Sequence, residues 1–374
     1  MSSRRATARD ALGMPVPPSW LARAVSRVRD ALGLGRRKLA PPFIVTLEHL
    51  QGMIDNKALA VAVELEIPDQ LHGGAKRADD LARDVGADAD ALNRLLRFLV
   101  SRGLLGMTRD GSYRNNAVSD TLRRDHPWSA RNWVLFFGGD WHWKIWSEAK
   151  HSFLTGESAA RAATGHEFFE YVNEVDARAG EAFNGAMTEG SRLQGLLVVD
   201  AYDFSGVTSV CDVGGGTGAI MGDLLAAHPA LRGVVFDLPQ LSEPARAALA
   251  ARGVGDRCEF VAGDFFTAVP EGHDLYTLFA IVHDWDDERC TTILRNIRQA
   301  MAPDARVLVT EMPVPEGPAP SFAKVMDLEM LILTGSGRER TAPEYRALFG
   351  QAGFAVEREI PLPSLFTVFE LTAG

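Results

Sequence analysis

The sequence predicts an α/β domain built on a doubly wound, seven-stranded sheet, preceded by a smaller and mostly helical domain. After residue 206, short apolar β-branched runs alternate with helical segments, which is typical of a largely parallel sheet. A glycine-rich turn joins the first of these strands to a helix. Before residue 125, two helical segments and a candidate hairpin follow one another in the order of a winged helix.

The glycine-rich turn lies in VTSVCDVGGGTGA, residues 207–219. Its valines indicate a buried strand, and a helix is expected over residues 219–227. Gly214 and Gly216 leave no side chain between the backbone and a ligand, and they allow the positive φ angles of a tight turn. The amino end of the helix adds a positive dipole, so we expect a ligand here.

Two cofactors compete for this turn. Gly214-x-Gly216-x-x-Ala219 satisfies the loose dinucleotide pattern of NAD enzymes. The pattern acidic-x-G-x-G-x-G is also complete, beginning at Asp212. A carboxylate before the turn would repel a pyrophosphate but would suit an ammonium group, which favours S-adenosylmethionine.

Acidic residues also follow the next two predicted strands. Asp237 and Leu238 end VVFDL, where a carboxylate can accept hydrogen bonds from both ribose hydroxyls. Asp264 and Phe265 lie in AGDFF, where the carboxylate can accept from an adenine amino group and the ring can cover the base. A carboxylate at the third strand end is less expected of an NAD site, so it favours S-adenosylmethionine again.

Composition and charge narrow the class of protein. The 374 residues are 46% hydrophobic and 24% charged, as in globular domains, with no apolar run of membrane-spanning length and no signal-peptide pattern. The net charge of −10 argues against nucleic-acid binding, although residues 1–40 are basic. Three scattered cysteines fit no zinc spacing and favour a reducing compartment, so we expect a cytoplasmic protein.

The organisation along the chain follows from these patterns. Residues 1–40 are expected to form a basic, loosely ordered arm. This arm could be a flexible tail, a membrane-surface helix or a transit peptide. Residues 41–125 are the winged-helix-like domain, with helices at 43–71 and 78–85, a helix capped by Asp88, and a hairpin at 104–116. Its few arginines are flanked by aspartates, so dimerisation is favoured over DNA binding.

Residues 126–200 are expected to be a helical connector that contributes to a substrate pocket, and residues 201–374 a cofactor-binding catalytic domain. Aromatic clusters at 141–146 and 168–172 either line a pocket for a flat ligand or belong to the core. The strands of the last domain are predicted at residues 209–213, 233–237, 258–262, 275–281, 306–311, 355–360 and 366–371.

The fourth of these strands leads into HDWDDE, residues 283–288. Taken in order, DVGGGTG, FDLP, GDFF, HDWDDE and SGRERT, after a winged-helix front half, resemble the plant-type, metal-independent small-molecule O-methyltransferases and their bacterial antibiotic-pathway relatives. The resemblance covers residues 43–372. It implies a Rossmann-like class I methyltransferase domain with a mixed sheet, S-adenosylmethionine as cofactor, a homodimer, and a small aromatic hydroxylated substrate.

The resemblance also assigns residues to roles. His283 would be the general base, which suits a phenol with a pKa near 10, and Glu311 and Glu339 would flank it. Met187 and Ser191 would lie near the methionine end of the cofactor. The remaining candidates, on the side of the acceptor substrate, are Phe183, Trp143, Asp284 and Met330.

Several alternatives stay open at this stage. The acidic run 284–288 fits a metal site, but it also fits the start of the following helix, which we favour. Methylation at carbon or nitrogen, or a recruited reaction without methyl transfer, would use the same fold. An NAD(P)-dependent oxidoreductase and a non-enzymatic regulator built on the winged helix are the alternatives from other classes.

Overall fold

The computed structural model describes residues 18–374, and the chain forms two compact units. One unit contains the described residues before Leu32, together with Ala149–Ala160 and Gly190–Gly374. The other contains Leu32–Glu148 and Arg161–Glu189. We call them the sheet unit and the helical unit. The four domain limits proposed from the sequence stay a prediction.

The sheet unit is built on a sheet of seven strands, which are β3 Ser209–Val213, β4 Arg232–Asp237, β5 Cys258–Ala262, β6 Leu275–Phe279, β7 Arg306–Glu311, β8 Phe354–Pro361 and β9 Thr367–Ala373. Their order in the sheet is β5-β4-β3-β6-β7-β9-β8. Strands β3 to β7 are parallel to one another, and β9 is antiparallel to both β7 and β8. The mixed seven-stranded sheet predicted from the sequence is therefore confirmed.

One predicted strand end is wrong. The sequence suggested that β6 continues to Ile281, because the apolar run does, but β6 stops at Phe279. Ala280 has a φ of 55°, a left-handed conformation that costs a residue with a Cβ about 1–2 kcal/mol. This residue ends the strand and turns the chain into the segment that carries His283.

Strand order reverses at β3, since β4 lies on one side of it and β6 on the other. The carboxyl ends of the five parallel strands consequently meet at one edge, which is where ligands bind in doubly wound sheets. Strands β3, β6 and β7 are almost completely buried, because helices cover both faces. The helices of this unit are Ala149–Thr155, Ala219–Ala227, Ser242–Ala251, Asp287–Ala300, Phe322–Thr334 and Ala342–Gln351.

The helical unit contains the winged-helix pattern. Helix Ala89–Ser101 is capped by Asp88, and strands β1 Gly106–Met107 and β2 Tyr113–Arg114 form an antiparallel hairpin, as predicted. The predicted helix over 43–71 is wrong in one respect, because it breaks at Glu66, whose φ is 57°. Its helices are Pro42–Glu64, Ile67–Gln70, Ala78–Val85, Ala89–Ser101, Ala117–Asp120, Arg131–Gly138, Asp140–Trp146 and Phe168–Glu170.

Three further helices include residues of both units, namely Ser19–Leu39, Ala159–Thr164 and Ala177–Ala201. The first exposes the large apolar side chains Trp20, Val25, Val28 and Leu32. Residues 1–17 of the basic arm lie outside the described residues. Between residues 18 and 374, none of the helices has the length and hydrophobicity needed to cross a bilayer.

Candidate active site

The glycine turn after β3 has the backbone that the sequence predicted. Gly214 and Gly216 have φ angles of 74° and 58°. A Cβ at Gly214 would lie 2.6 Å from Cδ1 of Ile281, so this position has no room for a side chain. Around Gly216 there is no atom within 4 Å of a Cβ, so the backbone is open to a ligand on that side.

Asp212 lies beneath this turn and is almost completely buried. Its Oδ1 accepts a hydrogen bond from Oγ1 of Thr277 at 2.7 Å. Burial raises the pKa of Asp212 to about 7, despite that hydrogen bond. The carboxyl therefore joins β3 to β6 under the turn, and its contact with an ammonium group stays a prediction.

Asp237 is held by two backbone amides at the end of β4. Its Oδ2 accepts from the N–H of Gly216 and its Oδ1 from the N–H of Leu238, both at 2.7 Å. Burial raises the pKa of Asp237, and these two amides counteract that rise. A carboxylate has about four acceptor positions, so two remain for the hydroxyls of a ligand.

Asp264 and Phe265 follow β5 at the same edge. Oδ1 of Asp264 accepts from the N–H of Phe266 at 2.9 Å. Nδ2 of Asn296 donates to the carbonyl of Phe265 at 2.8 Å, which fixes the segment against helix Asp287–Ala300. The ring of Phe265 lies edge-on to Trp285, with 6.1 Å between ring centroids. The structure thus brings the predicted nucleoside-binding residues to neighbouring strand ends.

His283 lies at the centre of a carboxylate cluster on the other half of the edge. Its Nδ1 is 2.8 Å from Oε2 of Glu311 and 3.7 Å from Oε1 of Glu339. Its Nε2 is 3.5 Å from Oδ1 of Asp284. Glu311 and Glu339 are buried, whereas the imidazole is partly exposed. The three residues predicted to be catalytic are therefore in one cluster.

The charges in this cluster change its protonation. Burial alone would lower the pKa of His283, but the carboxylates of Glu311, Glu339 and Asp284 raise it well above its usual value. Burial raises the pKa of Glu339 to about 8 and that of Asp284 to about 6. The carboxylates therefore make the imidazole more basic, and burial makes Glu339 and Asp284 easier to protonate than free side chains.

Glu311 also fixes the turn that carries His283. Its Oε1 accepts from the N–H of Ile281 at 3.2 Å and from the N–H of Val282 at 2.7 Å. Because both donors are backbone amides, this oxygen acts as an acceptor only. The Nδ1–H of His283 then donates to Oε2, which leaves Nε2 as the basic nitrogen.

The remaining predicted residues are distributed over both units. Met330 is buried on helix Phe322–Thr334 in the sheet unit, and Ser191 is partly buried. In the helical unit, Phe183 packs against Phe136 and two further phenylalanines, at centroid distances of 5.3–6.2 Å. Met187 is partly buried there. Their roles in binding stay predictions.

Trp143 lies elsewhere in the helical unit, in the wall of an apolar groove of about 710 Å³. Met53, Val61 and Leu65 line the same groove. The indole nitrogen of Trp143 is buried without a hydrogen-bond partner among the described residues. Its assignment to the acceptor substrate stays a prediction.

Comparisons with known proteins agree with this geometry. Residues 146–355 match the O-methyltransferase domain, and residues 47–125 match the O-methyltransferase dimerisation domain. Mitomycin biosynthesis 6-O-methyltransferase of Streptomyces lavendulae is 41% identical over 313 residues, or 83% of this chain and 89% of that protein. Phenazine-1-carboxylate N-methyltransferase of Pseudomonas aeruginosa is 35% identical, over 85% of this chain and 93% of that protein.

A crystal structure of human N-acetylserotonin methyltransferase in complex with S-adenosylmethionine has a TM-score of 0.82 to this chain. It is 26% identical, and the match covers 90% of this chain and 98% of that one. The sheet and its strand-end residues thus define a class I methyltransferase. The chain belongs to the S-adenosylmethionine-dependent O-methyltransferase family, as the motifs predicted.

The residues present fit this cofactor. The open backbone at Gly216 allows close approach of a ligand, and Asp237 has acceptor positions left for ribose hydroxyls. Asp264 and Phe265 offer a carboxylate and a ring where an adenine is expected. Because the chain belongs to this methyltransferase family, the alternatives of an NAD-dependent oxidoreductase and a non-enzymatic regulator are excluded.

Proposed function

We propose that the protein methylates a hydroxyl group of a small aromatic natural product, with His283 as the general base and without a metal ion. The observation that carries this proposal is the hydrogen bond of 2.8 Å between Nδ1 of His283 and Glu311. It leaves Nε2, on a partly exposed ring, available to an acceptor. The family and its natural-product relatives support the reaction class.

S-adenosylmethionine, when bound, supplies a methyl group on a positively charged sulfur. In this proposal Asp237, Asp264 and the glycine turn hold its nucleoside. His283 removes the hydroxyl proton through Nε2 as the oxygen attacks, and the proton stays on the imidazole. Glu311 keeps the ring in the required tautomer and stabilises the imidazolium that forms, as the aspartate does in serine-protease triads.

The proposed reaction requires no metal ion. Possible metal-ligand atoms of His283, Glu311 and Glu339 nevertheless lie within 4.8 Å of one another. The neighbouring acidic residues have structural partners. Asp286 caps helix Asp287–Ala300 by accepting from the N–H of Arg289 at 2.8 Å. Asp287 pairs with Arg340 at 2.7 Å. These contacts support the helix-start interpretation of the acidic run.

The test is His283→Ala, assayed with labelled S-adenosylmethionine on a panel of hydroxylated arenes. Turnover at neutral pH should fall by ~10²–10⁴-fold, the usual contribution of a positioned general base. It should recover at high pH, where the phenolate forms without help. Affinity for S-adenosylhomocysteine, measured by calorimetry, should not change. Chelation by EDTA should leave the wild-type rate unchanged.

His273→Ala is the matched control, because His273 is a half-buried histidine of the same unit outside the cluster. It should retain full activity. Full activity of His283→Ala at neutral pH would show that the acceptor needs no base. An acceptor panel in which only aromatic nitrogen is methylated would favour the N-methyltransferase alternative, which two relatives represent.

We also infer that the protein is a homodimer that shares helix Pro42–Glu64. This helix exposes 39–70% of each of six large apolar side chains, Phe43, Ile44, Leu47, Leu50, Met53 and Ile54. An obligate interface there should bury more than ~2,000 Å². Light scattering should give the mass of a dimer, and Leu50→Glu should weaken it. A stable wild-type monomer at micromolar concentration would contradict the inference.

A further inference from the structure

Among the residues that the structure describes, Arg340 is the largest side chain that is fully buried, and it lies against the turn that carries His283. It belongs to the SGRERT stretch, but no role of its own was predicted for it. A buried guanidinium is costly unless each of its donors is paired. The partners of Arg340 therefore indicate why this position holds an arginine.

Two of those partners are backbone carbonyls of the His283 turn, and a third is the carboxylate of Asp287. Nη1 donates to the carbonyl of Val282 at 3.0 Å, and Nη2 donates to the carbonyl of Trp285 at 2.9 Å. Nε and Nη2 both donate to Oδ1 of Asp287, at 2.9 and 2.7 Å. Val282 and Trp285 flank His283 and Asp284 in the chain, so one planar group fixes both ends of this dipeptide.

The residues next to Arg340 contact the same turn. The N–H of Arg338 donates to the carbonyl of His283 at 2.7 Å. Oε1 of Glu339 lies 3.7 Å from Nδ1 of His283. Three consecutive residues, 338–340, thus contact the carbonyl of His283, its ring, and the carbonyls on either side of it.

The turn needs such support because it is a single short 3₁₀ turn, Val282–Asp284. It begins after the left-handed Ala280, whose conformation is strained for a residue with a Cβ. On one side Glu311 accepts from the N–H of Val282 at 2.7 Å. On the other side Arg340 donates to the carbonyl of the same residue. The peptide groups next to His283 are therefore held from two elements.

We infer that Arg340 is a positioning residue for the general base, which it holds by fixing the carbonyls of Val282 and Trp285. The inference rests on the proposed role of His283. A displacement of about 1 Å in a catalytic group can cost ~10²-fold in rate. Loss of the guanidinium should therefore reduce kcat by about 10²-fold, with little change in cofactor affinity.

The test compares Arg340→Met and Arg340→Lys with wild type. The first keeps the apolar volume without donors, and the second keeps the charge without the planar fork. The main measurement is the titration of the His283 ring by NMR with labelled histidine, assigned with His283→Ala. Its pKa should fall in both variants, because the ring moves away from Glu311, Glu339 and Asp284, the ionisable groups that face it.

Arg346→Met is the matched control, since the half-exposed Arg346 pairs only with Glu359 among the described residues. It should leave both the titration and kcat unchanged. The inference fails if the Arg340 variants lower the melting temperature while the His283 titration stays as in wild type. The NMR measurement does not depend on activity, so a failure of the general-base assignment, detected by His283→Ala kinetics, is a separate result.

Discussion

The two halves of the sheet edge use the same kind of side chain in different ways. At the ends of β4 and β5, Asp237 and Asp264 accept hydrogen bonds from backbone amides, one of which belongs to Gly216 in the turn after β3. At the end of β7 and in the loop before helix Ala342–Gln351, Glu311 and Glu339 are buried around one imidazole. The first pair is suited to binding, and the second pair to proton transfer.

Surroundings account for this difference. Backbone amides stabilise an ionised carboxylate, which can then accept from ligand hydroxyls. Burial raises the pKa of Glu339 to about 8, whereas the neighbouring carboxylates raise the pKa of His283. Variants on the first half of the edge should therefore change cofactor affinity, and variants on the second half should change turnover.

The largest effect is expected for Glu311→Gln. Oε1 of Glu311 accepts from two amides, so a glutamine must turn its carbonyl toward them and its NH₂ toward Nδ1 of His283. Nδ1 then becomes an acceptor, Nε2 carries the proton, and the base is lost. We expect kcat to fall by ~10³–10⁴-fold, as for the equivalent change in serine-protease triads, with unchanged affinity for S-adenosylhomocysteine.

Glu370→Gln is the matched control for this prediction, because Glu370 is an equally buried strand glutamate that binds Tyr202, Arg306 and Arg358. It should lower stability and leave the kcat of the folded enzyme near wild type. Equal kinetic losses in both variants would mean that Glu311 acts only through stability.

Asp237→Ala should have a smaller effect than Glu311→Gln, and it should change cofactor affinity instead of kcat. Loss of a charged acceptor should weaken binding of S-adenosylhomocysteine by ~1.5–3 kcal/mol, about 10- to 150-fold. At saturating cofactor, kcat should stay close to wild type. Calorimetry and saturation kinetics check both parts, with the exposed Asp256→Ala as control. A large loss of kcat at saturating cofactor would contradict the distinction between a binding half and a proton-transfer half of the sheet edge.

The smallest effect at neutral pH, about 10-fold in kcat or less, is expected for Glu339→Gln, because its carboxylate lies 3.7 Å from Nδ1 of His283 and that of Glu311 lies 2.8 Å from it. The pH profile should separate it from wild type. Since the pKa of His283 is raised, the wild-type rate should increase with pH along a limb above the usual histidine range. Removing one carboxylate lowers that pKa, so the limb should move to lower pH in the variant.

An unchanged pH profile for Glu339→Gln would contradict the electrostatic role of Glu339. Glu339 would then serve only as a structural contact of the SGRERT loop. Measuring kcat/KM gives the titration of the free enzyme, and kcat gives that of the complex. Both profiles are needed, because a bound substrate also changes the surroundings of the imidazole.

The period of the apolar residues was sufficient to predict the sheet. Each of the seven strands lies within two residues of its predicted limits, because buried parallel strands are short β-branched runs between polar turns. The errors are at Glu66 and Ala280, where residues other than glycine adopt left-handed backbone. Such conformations are imposed by tertiary contacts, and the local sequence carries no signal for them.

The site was predictable to the extent that it follows strand ends. Asp237, Asp264 and Glu311 come directly after or at the end of parallel strands, so topology alone brings them to one edge. Glu339 was available only through the family resemblance, since no strand precedes it. The role of Arg340 was not predictable, because it depends on where the folded turn places the carbonyls of Val282 and Trp285.

The reversal of strand order at β3 separates the two halves of the edge along the chain as well as in space. Along the chain, the edge residues proposed to bind the cofactor all come before or at Phe265. The edge residues around the proposed base, His283, all come after Ala280. A recombination point in the loop between β5 and β6 would exchange one half between related enzymes and keep the other. The hydrogen bond between Asp212 and Thr277 joins segments on either side of that recombination point. The two parent enzymes must therefore have compatible residues at this pair.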